Sequence, residues 1–326
     1  MAIIMMVYHH FFGWPNRILI SNAFNVVQIC NVNGVIFLAQ ACKLCVCIFA
    51  FLSGYGMFFS YEKFHGKDAV RYCLSKVLKL LTIYWIVLVL EIVFLFANGK
   101  SIRVSDVLSN VVLLKVNILH TSWYIRFYIE AMAILTIYHV CIKKKSAWME
   151  ILLTVCLPWI VYLVIPENTF THYFPTFMLG YFFSKYQLFE YLYMCIGRLK
   201  VFMLATVALL ALMLIRLKFG DSIGPFAVIT FMGPPLILVL REITYVFEKI
   251  KLGKMLLYIS KYSTYYWLLH SIFHSGVKAI QVIAYLPYYT VLILIWVFVL
   301  MTPFVAVLEK CDVGIWNFFS KKMRRV

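Results

Sequence analysis

Ala2-Ile-Ile-Met-Met-Val-Tyr-His9-His10-Phe-Phe12 is an apolar run that ends in two adjacent imidazoles. An ionisable side chain at bilayer depth is costly, so it faces protein or water and marks a pathway or a reaction centre. Two readings of the run are open. In one, His9 and His10 close a short helix and are wetted by the headgroup region. In the other, one imidazole turns inward, and only one can, because successive helical residues are rotated by about 100°.

The chain around this run has 326 residues, 64% of them hydrophobic and 13% charged. Soluble domains are only about 45–50% apolar. Most of the apolar segments approach the roughly 20 residues that carry a helix across a bilayer, and the weaker alternation of a transmembrane barrel is absent. The reading is an all-α polytopic integral membrane protein, a single transmembrane domain over residues 1–326, with too little polar sequence for a separate soluble domain.

The net charge of +17 does not point to nucleic acid, because the basic residues lie in short clusters between apolar segments and read as topology signals. Of the nine cysteines, Cys42, Cys45 and Cys47 fall together on a membrane helix. No second ligand pair has suitable spacing, so no metal is expected and these thiols read as small apolar residues. The N-terminus has neither a basic n-region nor a small-residue cleavage site, so it does not read as a secretory signal.

Ten spans are predicted, over residues 2–12, 41–59, 77–97, 123–142, 147–165, 172–184, 201–217, 223–240, 255–275 and 288–308. Span two carries Phe51-Leu52-Ser53-Gly54-Tyr55-Gly56, where the glycines permit close helix approach and Ser53 offers a hydroxyl. In span four Arg126 and Glu130 are four residues apart, so they share a helix face and partly neutralise each other. Pro158 predicts a kink in span five, and span six is short enough to be tilted or partly re-entrant. Residues 13–33 read as an exposed connection, 61–79 as a basic loop, and 98–122 as a segment lying along the opposite surface.

Cytoplasmic loops carry the excess of lysine and arginine. Against ten spans, twenty of these residues fall on one side, including Lys143-Lys144-Lys145, Lys185, Lys251 and Arg324-Arg325; seven fall on the other. Both termini are therefore predicted to be cytoplasmic. His10, Lys43, His120, Trp123, Arg126, His172, His270 and His274 then lie in the outer half of the membrane or at its outer surface. Lys76 and Lys79 form a cytoplasmic basic rim, either positive-inside anchoring or an anion site. No internal repeat of the kind that builds many transporters is visible.

Several stretches together resemble the membrane acyltransferase type 3 family, whose members include bacterial enzymes that O-acetylate cell-surface polysaccharides. Ala2 to His10 resembles the first helix of that family, which ends in a histidine. Phe49-Ala-Phe-Leu-Ser53-Gly54-Tyr55 resembles its Phe-Phe-x-Leu-Ser-Gly-Tyr/Phe signature. Lys76-x-x-Lys79-x-x-x-x-Tyr84-Trp85 resembles its basic-x-x-basic start of the third helix. Trp123-Tyr124, Phe177-x-x-Gly180 and Ser263-x-x-x-Trp267-Leu-Leu-His270 match weaker positions.

The departures are specific. The basic residue that precedes the family histidine, with ten residues between, would fall before Met1; the reading is a late start or a divergent member of impaired activity. Thr82 stands where the family usually has proline. Lys76 and Lys79 replace the commoner arginines, which keeps the charge but gives up bidentate phosphate binding.

The resemblance implies acetyl transfer from cytoplasmic acetyl-CoA to a hydroxyl of a capsular or other surface polysaccharide, or of its lipid-linked precursor, at the outer face of a bacterial plasma membrane. It makes His10 the inward imidazole, as general base or transient acyl carrier. Lys76, Lys79, Ser53 and Tyr84 are the expected acyl-CoA-binding residues. Trp123, Arg126, Glu130 and His270 are expected on the acceptor side. No resident cofactor is expected; acetyl-CoA is a substrate, and the partners are the sugar acceptor and the bilayer. Two other readings stay open at this stage: a transporter or flippase for a lipid-linked sugar, and an inactive remnant of the family.

Overall fold

Cys45–Lys63 forms a helix whose centre carries Ser53-Gly54, and in the computed structural model this helix lies along Thr169–Lys185. The structure describes residues 1–326 except 30, 143–145, 167, 221, 224–225, 250–252, 275–276 and 324–326; of residues 29, 222–223, 226–227 and 318–323 the backbone alone is described. Lys143, Lys144, Lys145, Lys251, Arg324 and Arg325, read above as topology signals, lie outside the described residues.

The helices in chain order are α1 (Ala2–Phe12), α2 (Gly34–Ala41), α3 (Cys45–Lys63), α4 (Lys67–Ala97), α5 (Val104–Val111), α6 (Trp123–Cys141), α7 (Ala147–Val164), α8 (Thr169–Lys185), α9 (Leu188–Ile196), α10 (Arg198–Phe219), α11 (Ile229–Lys249), α12 (Gly253–Lys261), α13 (Ser263–His274), α14 (Lys278–Ala284) and α15 (Thr290–Met323). The described β-structure is two short antiparallel ladders, Gln28–Ile29 with Val32–Asn33 and Ser222–Ile223 with Phe226–Ala227.

Among the described residues, six helical stretches are long and apolar enough to cross a bilayer: Gly34–Lys63, Lys67–Ala97, Ala147–Val164, Arg198–Phe219, Ile229–Lys249 and Thr290–Asn317. Their outward faces are apolar. On α4 the exposed residues Leu78, Trp85, Val89, Val93 and Phe96 recur at helical spacing, as do Val291, Ile295 and Val299 on α15. Such stripes need a lipid or protein partner in place of water. The protein is a multi-pass, all-helical membrane protein.

Four predicted elements differ in detail. The basic stretch ahead of the third span is not a loop throughout. Helix α4 starts at Lys67, with Asp68 in its first turn, so Lys76 and Lys79 stand one turn apart on helix. No glycine or proline interrupts 67–79, and an acidic residue at the N-terminus favours the helix dipole. Its 31 residues span about 46 Å at 1.5 Å each, more than the roughly 30 Å hydrocarbon core. The predicted ninth span divides at Tyr262 into α12 and α13. The segment 98–122 contains α5, and 188–196 forms α9.

The chain divides into two compact units, the first comprising Met1–Ala2, Leu44–Ser75 and Arg126–Met255, the second Ile3–Lys43, Lys76–Ile125 and Leu256–Val326. In the first unit, α3 and α8 approach backbone to backbone. A Cβ on Gly54 would lie 1.8 Å from the Phe177 carbonyl oxygen, and one on Gly180 would lie 1.9 Å from that of Phe51. Phe51 is buried beside this crossing with Phe189, Val201, Ala205 and Leu238. Beyond it the buried Glu150 of α7 accepts from Lys185 Nζ at 2.7 Å and from the Tyr138 hydroxyl at 3.1 Å. Lys185, read above as a loop cation, thus ends α8 in an ion pair. Arg126 and Glu130 form the expected pair on one face of α6, Nε to Oε1 at 3.0 Å.

Candidate functional site

The two imidazoles of α1 have different partners. His9 is buried, and its Nδ1–H donates to the Ala39 carbonyl of α2 at 2.7 Å. Behind it the helix ends tightly: Gly13 N–H donates to the His9 carbonyl at 2.8 Å, and a Cβ on Gly13 would lie 2.6 Å from that oxygen. Gln40 Nε2 donates to the Gly13 carbonyl at 2.7 Å. His9 is thereby a fastening between α1 and α2.

His10 faces α13. Its ring centroid lies 4.8 Å from that of His270 and 5.2 Å from that of His274. His270 and His274 are four residues apart and so share one face of α13. His270 is fully buried, and its Nδ1–H donates to the Trp267 carbonyl. That bond assigns the proton to Nδ1 and leaves Nε2 as a bare lone pair, which has no hydrogen-bond partner among the described residues; neither has His10 Nδ1.

The end of α1 is held in place by the C-terminal helices of the same unit. The Tyr285 hydroxyl donates to the Phe11 carbonyl at 2.7 Å. Gln281 of α14 accepts from Leu19 N–H at 2.7 Å and donates to the Arg17 carbonyl at 3.1 Å. The Asn25 side chain accepts from Thr290 N–H at the start of α15 at 2.8 Å. Histidine placement therefore rests on contacts nearly the whole chain apart in sequence.

His10 and His274 open on a cavity of about 750 Å³ that Arg17, Glu91, Lys100, Arg103 and His120 also line. Glu91 of α4 is buried, and one oxygen of its carboxyl group has no partner among the described residues. Burial and the Arg17 charge hold the His120 imidazole below its ordinary value. Thr121, Asn117 and Ser271 add neutral hydrogen-bonding groups to the wall. A cavity with a few convergent polar groups, a histidine base at one end and a carboxylate on the wall can bind a polyol and take a proton from it.

The wall between α4 and α6 is braced by one carboxylate. Asp106 of α5 accepts from Arg103 Nε at 2.9 Å and from Lys115 Nζ at 3.0 Å. Asn110 bonds Asn117 Oδ1 at 2.6 Å and receives Ile118 N–H at 3.2 Å, while the Tyr84 hydroxyl donates to the Asn110 carbonyl at 2.8 Å. The bonds from Lys115 and Arg103 hold the Asp106 carboxyl below its ordinary value of 3.8. A lowered folded value means that the stabilisation is complete above pH 3.8 and lost as pH falls through the folded value. Hydrogen-exchange protection of residues 103–118, taken relative to the intrinsic rate at each pH, should hold from pH 7 down to about pH 4 and fall below it; Asp106→Asn should show the lowered protection already at pH 7.

The residues expected from sequence fall in different places. His10 and His270 come together. Tyr84 is buried with its hydroxyl on Asn110, and Lys76 and Lys79 are exposed on α4; none of these three lines the cavity. Trp123 packs edge-on to Tyr124, which packs edge-on to Trp267, one turn before His270. Ser53, Arg126 and Glu130 belong to the first unit. Arg17, Glu91 and Lys100 were not anticipated. Glu91 had a signal, since a lone carboxylate inside an apolar run is a functional candidate by default.

Six helical stretches of the described residues, long and apolar enough to cross a membrane, with a histidine cluster where the short helices α1 and α13 meet and a polar cavity beside it, define a membrane protein with a polar site in its helical fold. The acyltransferase domain of the type 3 family matches residues 1–310, and the chain belongs to this membrane acyltransferase family. That membership supports an acyltransferase-type enzyme. No curated protein and no solved structure matches the chain.

Proposed function

We propose that the protein transfers an acetyl group from cytoplasmic acetyl-CoA to a hydroxyl of a capsular or other surface polysaccharide, or its lipid-linked precursor, at the outer face of a bacterial plasma membrane. The observation that carries this reading is His10, which lines the polar cavity while His9 is tied to Ala39. His10 takes the proton of the sugar hydroxyl as its oxygen attacks the thioester carbonyl. The C–S bond then breaks as the C–O ester forms, and the proton passes to the departing sulfur of CoA. Arg17, Glu91 and Lys100 orient the acceptor.

The donor side is assigned to Lys76 and Lys79, whose charges suit the phosphates of coenzyme A, with the pantetheine arm passing Ser53 and Tyr84. Trp123, Arg126, Glu130 and His270 complete the acceptor side. The full topology in this reading has ten crossings and both termini in the cytoplasm, which puts the lysines inside and His10 in the outer half.

The test is surface-polysaccharide NMR together with acetyl-CoA consumption in membranes that carry the chain. Acetyl esters should appear on the glycan, and Lys76→Ala with Lys79→Ala should raise KM for acetyl-CoA about tenfold or more while kcat changes little, because uniform binding is lost. Stable insertion with the acceptor present and no acetyl-CoA consumed would overturn the assignment.

A further inference from the structure

We infer that His10, His270 and His274 form a binding site for a divalent transition metal ion of the zinc type. The ligand nitrogens of the three rings all lie within 4.8 Å of one another. Metal–nitrogen bonds of 2.0–2.1 Å in tetrahedral geometry place nitrogens about 3.3 Å apart. Side-chain rotation that moves each nitrogen by under about 1 Å closes that gap.

Three observations favour an ion over a packed apolar cluster. The first is the tautomer: with Nδ1–H of His270 bonded to the Trp267 carbonyl, Nε2 presents its lone pair inward, the arrangement in which a backbone carbonyl orients a metal-bound imidazole. The second is that, among the described residues, this lone pair and His10 Nδ1 are buried with no hydrogen-bond donor, and a buried polar atom left so is unfavourable. The third is spacing: two histidines at i and i+4 on one helix face present their rings to one ion, and a third from another helix completes a three-histidine set with a fourth position open.

Glu91, a buried carboxyl side chain, lines the same cavity as His10 and His274. Imidazole ligands suit zinc, copper, nickel and iron, and not magnesium or calcium. The site does not depend on the acyl-transfer reading, since occupancy is measured directly; if His10 is the base, a bound ion takes its lone pair and acts as an inhibitor.

Cobalt(II) is the probe. Chain purified in detergent without a polyhistidine tag is titrated with Co²⁺ and followed by visible absorption, then by displacement with Zn²⁺. One Co²⁺ per chain with the strong visible bands of a tetrahedral ion, displaced by one Zn²⁺, is expected. His274→Ala should weaken binding by more than about 100-fold, since even outer partners of a ligand are worth 10–100-fold; His274→Asp should keep binding with shifted bands. The titration of the unaltered chain stands whether or not a variant folds. Absence of those bands, sulfur-to-cobalt charge transfer that puts the ion on cysteine, or equal affinity in folded His274→Ala and wild type would each overturn the site.

Discussion

Replacing His10 with alanine is expected to lower the rate of acyl transfer by about 10²–10⁴-fold, the contribution of a positioned base, or about 3–5 kcal/mol of barrier. The reacting hydroxyl holds its proton tightly, and His10 lines the cavity with an Nδ1 that has no hydrogen-bond partner among the described residues. KM for acetyl-CoA should move little, because the donor phosphates are assigned to Lys76 and Lys79. The control is the neighbouring residue. His9→Ala removes the bond to Ala39, worth about 1 kcal/mol, and should lower the yield or thermal midpoint while the folded fraction keeps its kcat. Initial rates of CoA release from purified protein at saturating donor read both. Loss of turnover in His9→Ala with His10→Ala unaffected would move the base to His9.

The difference between these two histidines was not legible in residues 2–12. Neighbouring helical positions diverge by a fixed angle, so one imidazole had to face inward, but which one depends on Ala39, Trp267 and His274, and no local pattern announces those contacts. The resemblance selected His10 for a reason outside the residues themselves. The apolar helices were readable where length decides: α7 and α10 lie close to their predicted spans, while α4 and α15 cover all or nearly all of theirs and run on at one end as helix. They were less readable where a helix is short or interrupted. The turn at Tyr262 has neither glycine nor proline to mark it, and α9 and α14 are short pieces whose hydropathy merges with their neighbours. Nothing in the sequence marks Arg17, Lys100 and Arg103 as neighbours, because three-dimensional return of loops to one cavity leaves no trace in spacing.

The stretch Leu52-Ser53-Gly54-Tyr55-Gly56 carries the second large effect, and its two glycines should behave oppositely. Gly54 stands where α3 touches α8, and a methyl group there would overlap the Phe177 carbonyl; Gly180 meets the Phe51 carbonyl in return. The obstructing atoms are backbone, so no side chain can turn aside and the helices must separate. Overpacking of a dense interior costs about 1–3 kcal/mol and occasionally more, and displacement of two helix backbones puts Gly54→Ala and Gly180→Ala at or above the top of that range. Gly56 has no atom within 4 Å of a Cβ, so Gly56→Ala should be neutral or stabilising by up to about 1 kcal/mol through helix propensity. The two damaging changes share one crossing, so helix separation forced by the first makes room for the second, and the double variant should lose less than the sum of the singles. Thermal midpoints and monodisperse yield in detergent measure all four variants. Equal tolerance of alanine at 54 and 56 would mean that α3 and α8 do not meet at these glycines, and the role of Gly54 in the signature would then have to be sought in Ser53 and its ligand.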